Sequence, residues 1–133
     1  MLTTMPQDTE SGGRAARWGR DTARRIAKAL GATELAPNSN QCVLNGQRVV
    51  IKCAAPATTS VGVTYQMLDR LDSVIGAFQR DDNDFDLWSL TPEQYKRSMR
   101  ETASKGPSAG RVGIVRKADF ENMGRSLGRD RCP

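Results

Sequence analysis

The chain contains no histidine. That removes Ser-His and Cys-His nucleophile pairs, His-dependent nucleases and nearly all common zinc sites, so chemistry here has to run on carboxylates, lysine, amides, hydroxyls or a hard metal ion. Cys42, Cys53 and Cys132 form an odd count with no CxxC pair. Neither a disulfide framework nor a cysteine zinc site is indicated, and buried thiols are the simpler reading. What remains with chemical potential is Lys52 at the end of the β-rich run Arg48-Val49-Val50-Ile51-Lys52-Cys53, an aspartate-rich turn, and a glycine- and serine-containing loop.

Asp82, Asp84 and Asp86, with Glu93 further on, imitate the ligand spacing of a calcium-binding EF-hand loop. Leu87 stands where that loop needs glycine for its sharp turn, and alternating hydrophobicity already explains the segment as turn plus strand. The loop SKGPSAGR combines Lys105, two glycines, two serines and Arg111, so its free amides and two cations suit a phosphate contact. It is not a Walker A sequence, because no Lys-Ser or Lys-Thr follows the second glycine. A plain surface loop accounts for it equally well.

The elements that would position these residues follow from periodicity. Residues 1–13 end in Ser11-Gly12-Gly13 and read as a disordered lead, leaving 14–133 as one domain. A helix is expected from Arg14 to Leu30, with Trp18, Ala23, Ile26, Ala27 and Leu30 as its apolar stripe, Arg17, Arg20, Arg24 and Lys28 as a basic one, and Gly31 ending it. Asn45-Gly46 between two β-rich runs signals a hairpin. A two-residue turn puts Cys42, Leu44, Val49, Ile51 and Cys53 on one face and Gln41, Val43, Arg48, Val50 and Lys52 on the other. Val61–Thr64 predicts a third strand, and Thr64 caps a helix expected over Tyr65–Gln79. A strand over Phe85–Leu90 follows, then a helix opened by the capping box Thr91-Pro92-Glu93-Gln94. After a loop at 102–110 come a strand at Arg111–Arg116 and a last helix carrying Phe120, Met123 and Leu127.

The order helix, three strands, helix, strand resembles the αβββαβ core of the restriction-endonuclease-like, or PD-(D/E)XK, nuclease superfamily. The segment PNSNQCVLNGQRVVIKCA is similar to that superfamily's central hairpin, in which an acid opens one strand and Glu-x-Lys closes the next. The resemblance implies a mixed α/β (α+β) fold with a small C-terminal strand and helix added. It puts Lys52 on the motif lysine, Val50 on the motif acid, and Asn38 or Asn40 on the first aspartate; Glu34 sits where many members carry a further acid. In such enzymes carboxylates hold Mg²⁺, which polarises the scissile phosphate and activates water, while the lysine stabilises developing charge. By that resemblance Lys52 faces the scissile phosphate, Glu34 is the metal ligand and Asn40 orients water or metal. Valine at 50 offers a metal nothing and asparagine offers an uncharged oxygen, so Gln41 or Glu34 would have to stand in for a missing acid.

Net charge is +5 and unevenly placed. Arg14 to Lys28 holds six basic residues against Asp21 alone, and the stretch from Lys96 onward is also basic, whereas Gln66 to Tyr95 is acidic. Such polarity suits a phosphate-rich partner, here DNA, with Arg17, Arg24, Arg48, Lys105 and Arg111 gripping its backbone. A solvated surface that keeps the chain soluble is the plainer account. With no apolar run long enough to span a membrane and no signal-peptide pattern at the start, a cytoplasmic protein without a membrane partner is expected. Two function classes follow: a DNA-binding protein, either a weak Mg²⁺-dependent endonuclease or a descendant lacking its metal site, and a non-enzymatic interaction or regulatory protein, as a homodimer joining acidic turn to basic face.

Overall fold

The computed structural model describes residues 9–35, 39–101 and 111–131. Helix α1 spans Thr9–Ala29 and so begins five residues ahead of the expected Arg14. Ala23, Ile26 and Ala27 are buried as the stripe requires, but Trp18 remains 37% exposed. At 100° per residue Trp18 lies about 130° around the helix from the line of those three, which puts it on the flank.

Strands β1 (Thr33–Glu34), β2 (Gln41–Leu44) and β3 (Gln47–Ala54) follow. The β2–β3 turn has Asn45 at φ 53° and Gly46 at φ 79°, the two successive left-handed residues of the expected two-residue hairpin. Val49 opposes Cys42 and Val50 opposes Gln41, so the two faces divide as read from the sequence. After β4 (Ser60–Thr64), helix α2 covers only Tyr65–Leu68, with Thr64 Oγ1 accepting from the Met67 amide at 3.1 Å. The helix expected to reach Gln79 therefore stops early, and Ser73–Gln79 is strand β5. Val74, Ile75 and Phe78 fall at helical spacing, but Ser73 to Phe78 are all buried; a strand covered on both faces is apolar throughout and loses its alternation.

Strand β6 (Phe85–Leu90) and helix α3 (Pro92–Ser98) match expectation, including the reciprocal Thr91–Gln94 capping box. The loop expected at 102–110 lies outside the described residues, between β7 (Arg100–Glu101) and β8 (Val112–Arg116). Helix α4 (Lys117–Met123) ends before Leu127, which belongs instead to strand β9 (Arg125–Asp130). At Gly124 a Cβ would collide with the carbonyl oxygens of Phe120 and Ser89, so the chain leaves the helix where only glycine fits.

The fold is mixed α+β. A six-stranded sheet has the order β1-β2-β3-β5-β6-β9, with β3 and β5 parallel and every other described pairing antiparallel. A second sheet has the order β4-β8-β7. The elements α1, β2, β3, β4, α2 and β5 do occur in the αβββαβ order, but β4 does not join β2 and β3 in one sheet. Both edges of β3 are already occupied, by β2 and β5, so β4 pairs with β8 instead.

Two cores result. Ile26 and Ala27 of α1 pack on Cys42, Val49, Ile51, Ile75 and Leu87 on one face of the large sheet. On the other face Val50, Val74 and Phe78 meet Val61, Val63 and Val115 of the second sheet, together with Tyr95 and Phe120. Phe120 meets Phe78 and Tyr95 edge-on, at 5.3 and 6.4 Å between centroids. Tyr95 is fully buried; its hydroxyl donates to the Gly113 carbonyl at 2.7 Å and lies 3.2 Å from that of Val61, joining α3 to both long strands of the second sheet.

Burial raises the Tyr95 pKa well above that of a free tyrosine. The unfolded chain ionises this phenol above about pH 10 and the folded one does not, so its contribution to stability is intact below that pH and is lost as pH rises further. Tyr95→Phe should lower stability by about 1–2 kcal/mol at neutral pH in urea titrations, the worth of a buried hydrogen bond. It should also have a shallower loss of stability than the parent between about pH 9.5 and 11. Equal stability at pH 7 would show that the hydroxyl contributes nothing.

Candidate nucleic-acid interface

Strand β2 begins too late to accompany β3 to its end. Asn40 accepts from the Ile51 amide at 3.0 Å, and beyond that point β3 continues as Lys52-Cys53-Ala54 without a β2 neighbour. Above this stretch, which has no strand neighbour on that side among the described residues, passes the N-terminal half of α1, whose inner side carries Ala15, Ala16 and Gly19 where the C-terminal half carries Ala23, Ile26 and Ala27. Small residues leave space: a Cβ on Gly19 would meet nothing within 4 Å. The outcome is a hollow of about 400 Å³ whose polar lining is Arg20, Asn40, Lys52 and Cys53.

Lys52 pairs with Gly76 across the parallel β3–β5 ladder, so it leaves the sheet on the side of Val50 and Phe78, opposite Ile51 and Cys53. Burial lowers its pKa, and no carboxylate lies within ion-pair distance among the described residues. Cys53 is pushed up to about 12 by burial, with Lys52 and Arg25 pulling the other way, so its thiol stays protonated and is a poor nucleophile.

Glu34 stands elsewhere. It opposes Cys42 on β1, and its Oε1 receives Arg24 Nε at 2.6 Å. This pair lines a separate hollow of about 640 Å³ with Asp21, Arg25 and Lys28. From Glu34 to Lys52 the path crosses two strand spacings, about 10 Å, and three residues along β3, about 10 Å more. Their side chains start from opposite faces of the sheet. The structure thus brings Asn40 and Lys52 together and leaves Glu34 apart. Val50, at the position of the motif acid, is fully buried in the core, and Asn38 lies outside the described residues. Among the described lining residues a magnesium ion would find one amide oxygen, no carboxylate and the Arg20 guanidinium, a donor set that fits an anion and not Mg²⁺.

The residues expected to grip DNA are distributed differently. Arg17 is exposed on α1 close to the hollow, and Arg24 is engaged by Glu34. Arg48 stands near the start of β3, four residues or about 13 Å from Lys52, with its amide bonded to Asp72. Arg111 is exposed ahead of β8, where its carbonyl accepts from Tyr65. Lys105 lies outside the described residues. Arg17, Arg20 and Lys28 are exposed on α1 and make no ion pair among the described residues. Arg20 and the small residues facing the hollow were visible in the sequence only as parts of a helix; their position over the end of β3 depends on where α1 crosses it.

The acidic turn is occupied. Arg80 reaches Asp82 at 3.4 Å and Asp86 at 3.5 Å, Arg129 lies 3.8 Å from Asp84, and Asp82 Oδ1 accepts from the Asp84 amide. Leu87 is buried in β6, so the segment is a β5–β6 turn followed by a strand. No group of three or more metal-ligating side chains occurs among the described residues, and no described helix is long and apolar enough to cross a membrane. No protein-family model matches the chain, and no curated protein matches it in sequence.

A lysine whose pKa is lowered by the fold binds its proton more tightly when unfolded. It therefore weakens the fold at neutral pH, and the penalty fades as pH rises toward about 10.4, where unfolded lysine also loses its charge. Lys52→Met should raise the melting temperature by about 2–4 °C at pH 7, with a smaller gain at pH 10. A lowered melting temperature at pH 7 would mean that Lys52 has a stabilising structural role.

Proposed function

We propose that this chain binds the phosphate backbone of DNA through the basic face of α1 and the hollow beneath it, without cleaving it. The observation that carries this reading is the hollow's lining: Arg20 and Asn40 beside the Lys52 segment of β3, with no carboxylate among the described lining residues. A guanidinium beside a hollow with no described counter-ion gains from a phosphate oxygen, which supplies both charge and hydrogen-bond acceptor; Lys52, leaving β3 on the other face, adds a partly buried cation at the same end of the sheet. Arg17 and Lys28, exposed on α1 and without an ion pair among the described residues, extend the positive surface on either side of Arg20. Contacts of this kind fix position on a nucleic acid and give it affinity, without reading its sequence.

In this reading the resemblance to restriction-endonuclease-like nucleases is one of arrangement, with the hairpin lysine kept for binding and the metal site absent. Glu34 serves α1 through Arg24, and no hydrolytic step follows from Asn40 and Lys52 alone. The protein would work in the cytoplasm, where its thiols stay reduced. The homodimer reading is less favoured, because the aspartates it needs are already held by Arg80 and Arg129.

Fluorescence anisotropy with a labelled oligonucleotide tests the proposal. Neutralising three to four phosphates should make affinity fall roughly a hundredfold between about 50 and 200 mM salt. Arg17→Glu with Arg20→Glu should weaken binding at least tenfold at low salt, and Lys52→Met should weaken it while leaving the protein folded. Salt-independent binding, or none at low salt, would remove the proposal. Mg²⁺-dependent strand scission abolished by Lys52→Met would restore the hydrolase reading in its place.

A further inference from the structure

Trp18 is the one exposed aromatic side chain among the described residues, at 37% of its surface, and it sits on the most basic element of the chain. Its ring is held in place. The Phe85 ring lies 6.3 Å away at 34°, and the Arg25 guanidinium caps Phe85 at 5.8 Å. Arg25 is fixed in turn by Asp130, a side chain only 8% exposed, at 2.8 Å. Arg17 adjoins Trp18 in sequence and Arg20 follows two residues later; both lie within one helical turn of the indole and make no ion pair among the described residues, Arg17 about 100° around the helix from the ring and Arg20 on its far side.

From this placement we infer that Trp18 is a stacking platform for an unpaired base and that the DNA bound is single-stranded. The inference rests on the phosphate-binding reading above and adds the strand state. A base held in a duplex is stacked on both sides and cannot lie flat on an exposed indole; a single strand can give a base to the ring while a flanking phosphate meets Arg17 and the strand follows the basic side of α1. Pre-orientation by Phe85 lowers the entropy lost when the ring is engaged. An anionic lipid surface suits the same charges less well. The apolar line of α1 that would enter a bilayer, Ala23, Ile26 and Ala27, is buried against the sheet, which leaves Trp18 alone to insert.

The test compares a labelled oligothymidylate of about twelve nucleotides with a duplex of the same length and with vesicles containing anionic lipid, using the full chain. Trp18→Ala should weaken the single strand about tenfold and the duplex less than twofold, while Trp18→Phe keeps most of the affinity. In a Trp88→Phe background, where Trp18 is the remaining tryptophan, oligothymidylate should quench its fluorescence. Equal affinity for both DNA forms with no effect of Trp18→Ala would overturn stacking and leave phosphate binding standing. Failure of every oligonucleotide to bind at low salt would overturn both, and preference for anionic vesicles would assign Trp18 to lipid.

Discussion

Six consecutive pairs, from Val49 opposite Ser73 to Ala54 opposite Phe78, hold β3 and β5 in parallel at the centre of the large sheet. Both strands are covered on both faces, by α1 on one side and by the second sheet with its short helices on the other. A parallel pair cannot be closed by a tight turn, so the chain from β3 must cross a face of the sheet before it returns as β5. That crossing contains β4 and α2. Once β4 is on that face it needs a partner, and β8 supplies one, with Tyr95 tying the pair to α3. The second sheet is thus a consequence of the central register.

The same register decides what Lys52 can do. Its neighbours on one face, Val50 and Ala54, are buried, and a lysine between them can keep its charge only by reaching the sheet's margin. It does so where β2 has not yet begun, on the face away from α1. An apolar residue at 52 would continue the core at no electrostatic penalty. The sequence instead has a cation there, and local conflict of this kind between stability and composition is characteristic of binding sites.

Legibility in the sequence followed how local each signal was. The hairpin was readable because Asn45-Gly46 states its own turn geometry, and α3 because its capping box lies within four residues. Strand β5 was not, because burial on both faces erases the alternation that marks a strand, and Val74, Ile75 and Phe78 fit a helical stripe by accident of spacing. Strand β9 was obscured similarly by Leu127, which continues the period of Phe120 and Met123 after Gly124 has already turned the chain. For the site, Asn40 and Lys52 could be brought together from hairpin register alone. Glu34 could not be placed, since its position depends on β1 pairing with the outer edge of β2 and on Arg24 being turned toward it from α1, both non-local facts.

Helix α1 has to serve the core and the proposed interface together, and its two halves divide the work. The C-terminal half is anchored: Ile26 is fully buried, Arg24 reaches β1 through Glu34, and Arg25 reaches β9 through Asp130. Those two ion pairs leave opposite flanks of the helix toward opposite edges of the sheet and so resist rotation about its axis. In the Arg25–Asp130 pair the carboxylate is nearly buried although the arginine is 36% exposed, so this contact is less screened than Arg24–Glu34, where both side chains face water. With rotation blocked, the N-terminal half must project Trp18 to one flank, Arg17 and Arg20 outward and to the other, and Ala15, Ala16 and Gly19 over the end of β3. A helix held by hydrophobic contact alone could turn by tens of degrees and bury the indole at the expense of the hollow. The paired arginines make the open arrangement the stable one, which is why the cations that anchor α1 and the cations left unpaired on it have to be considered together.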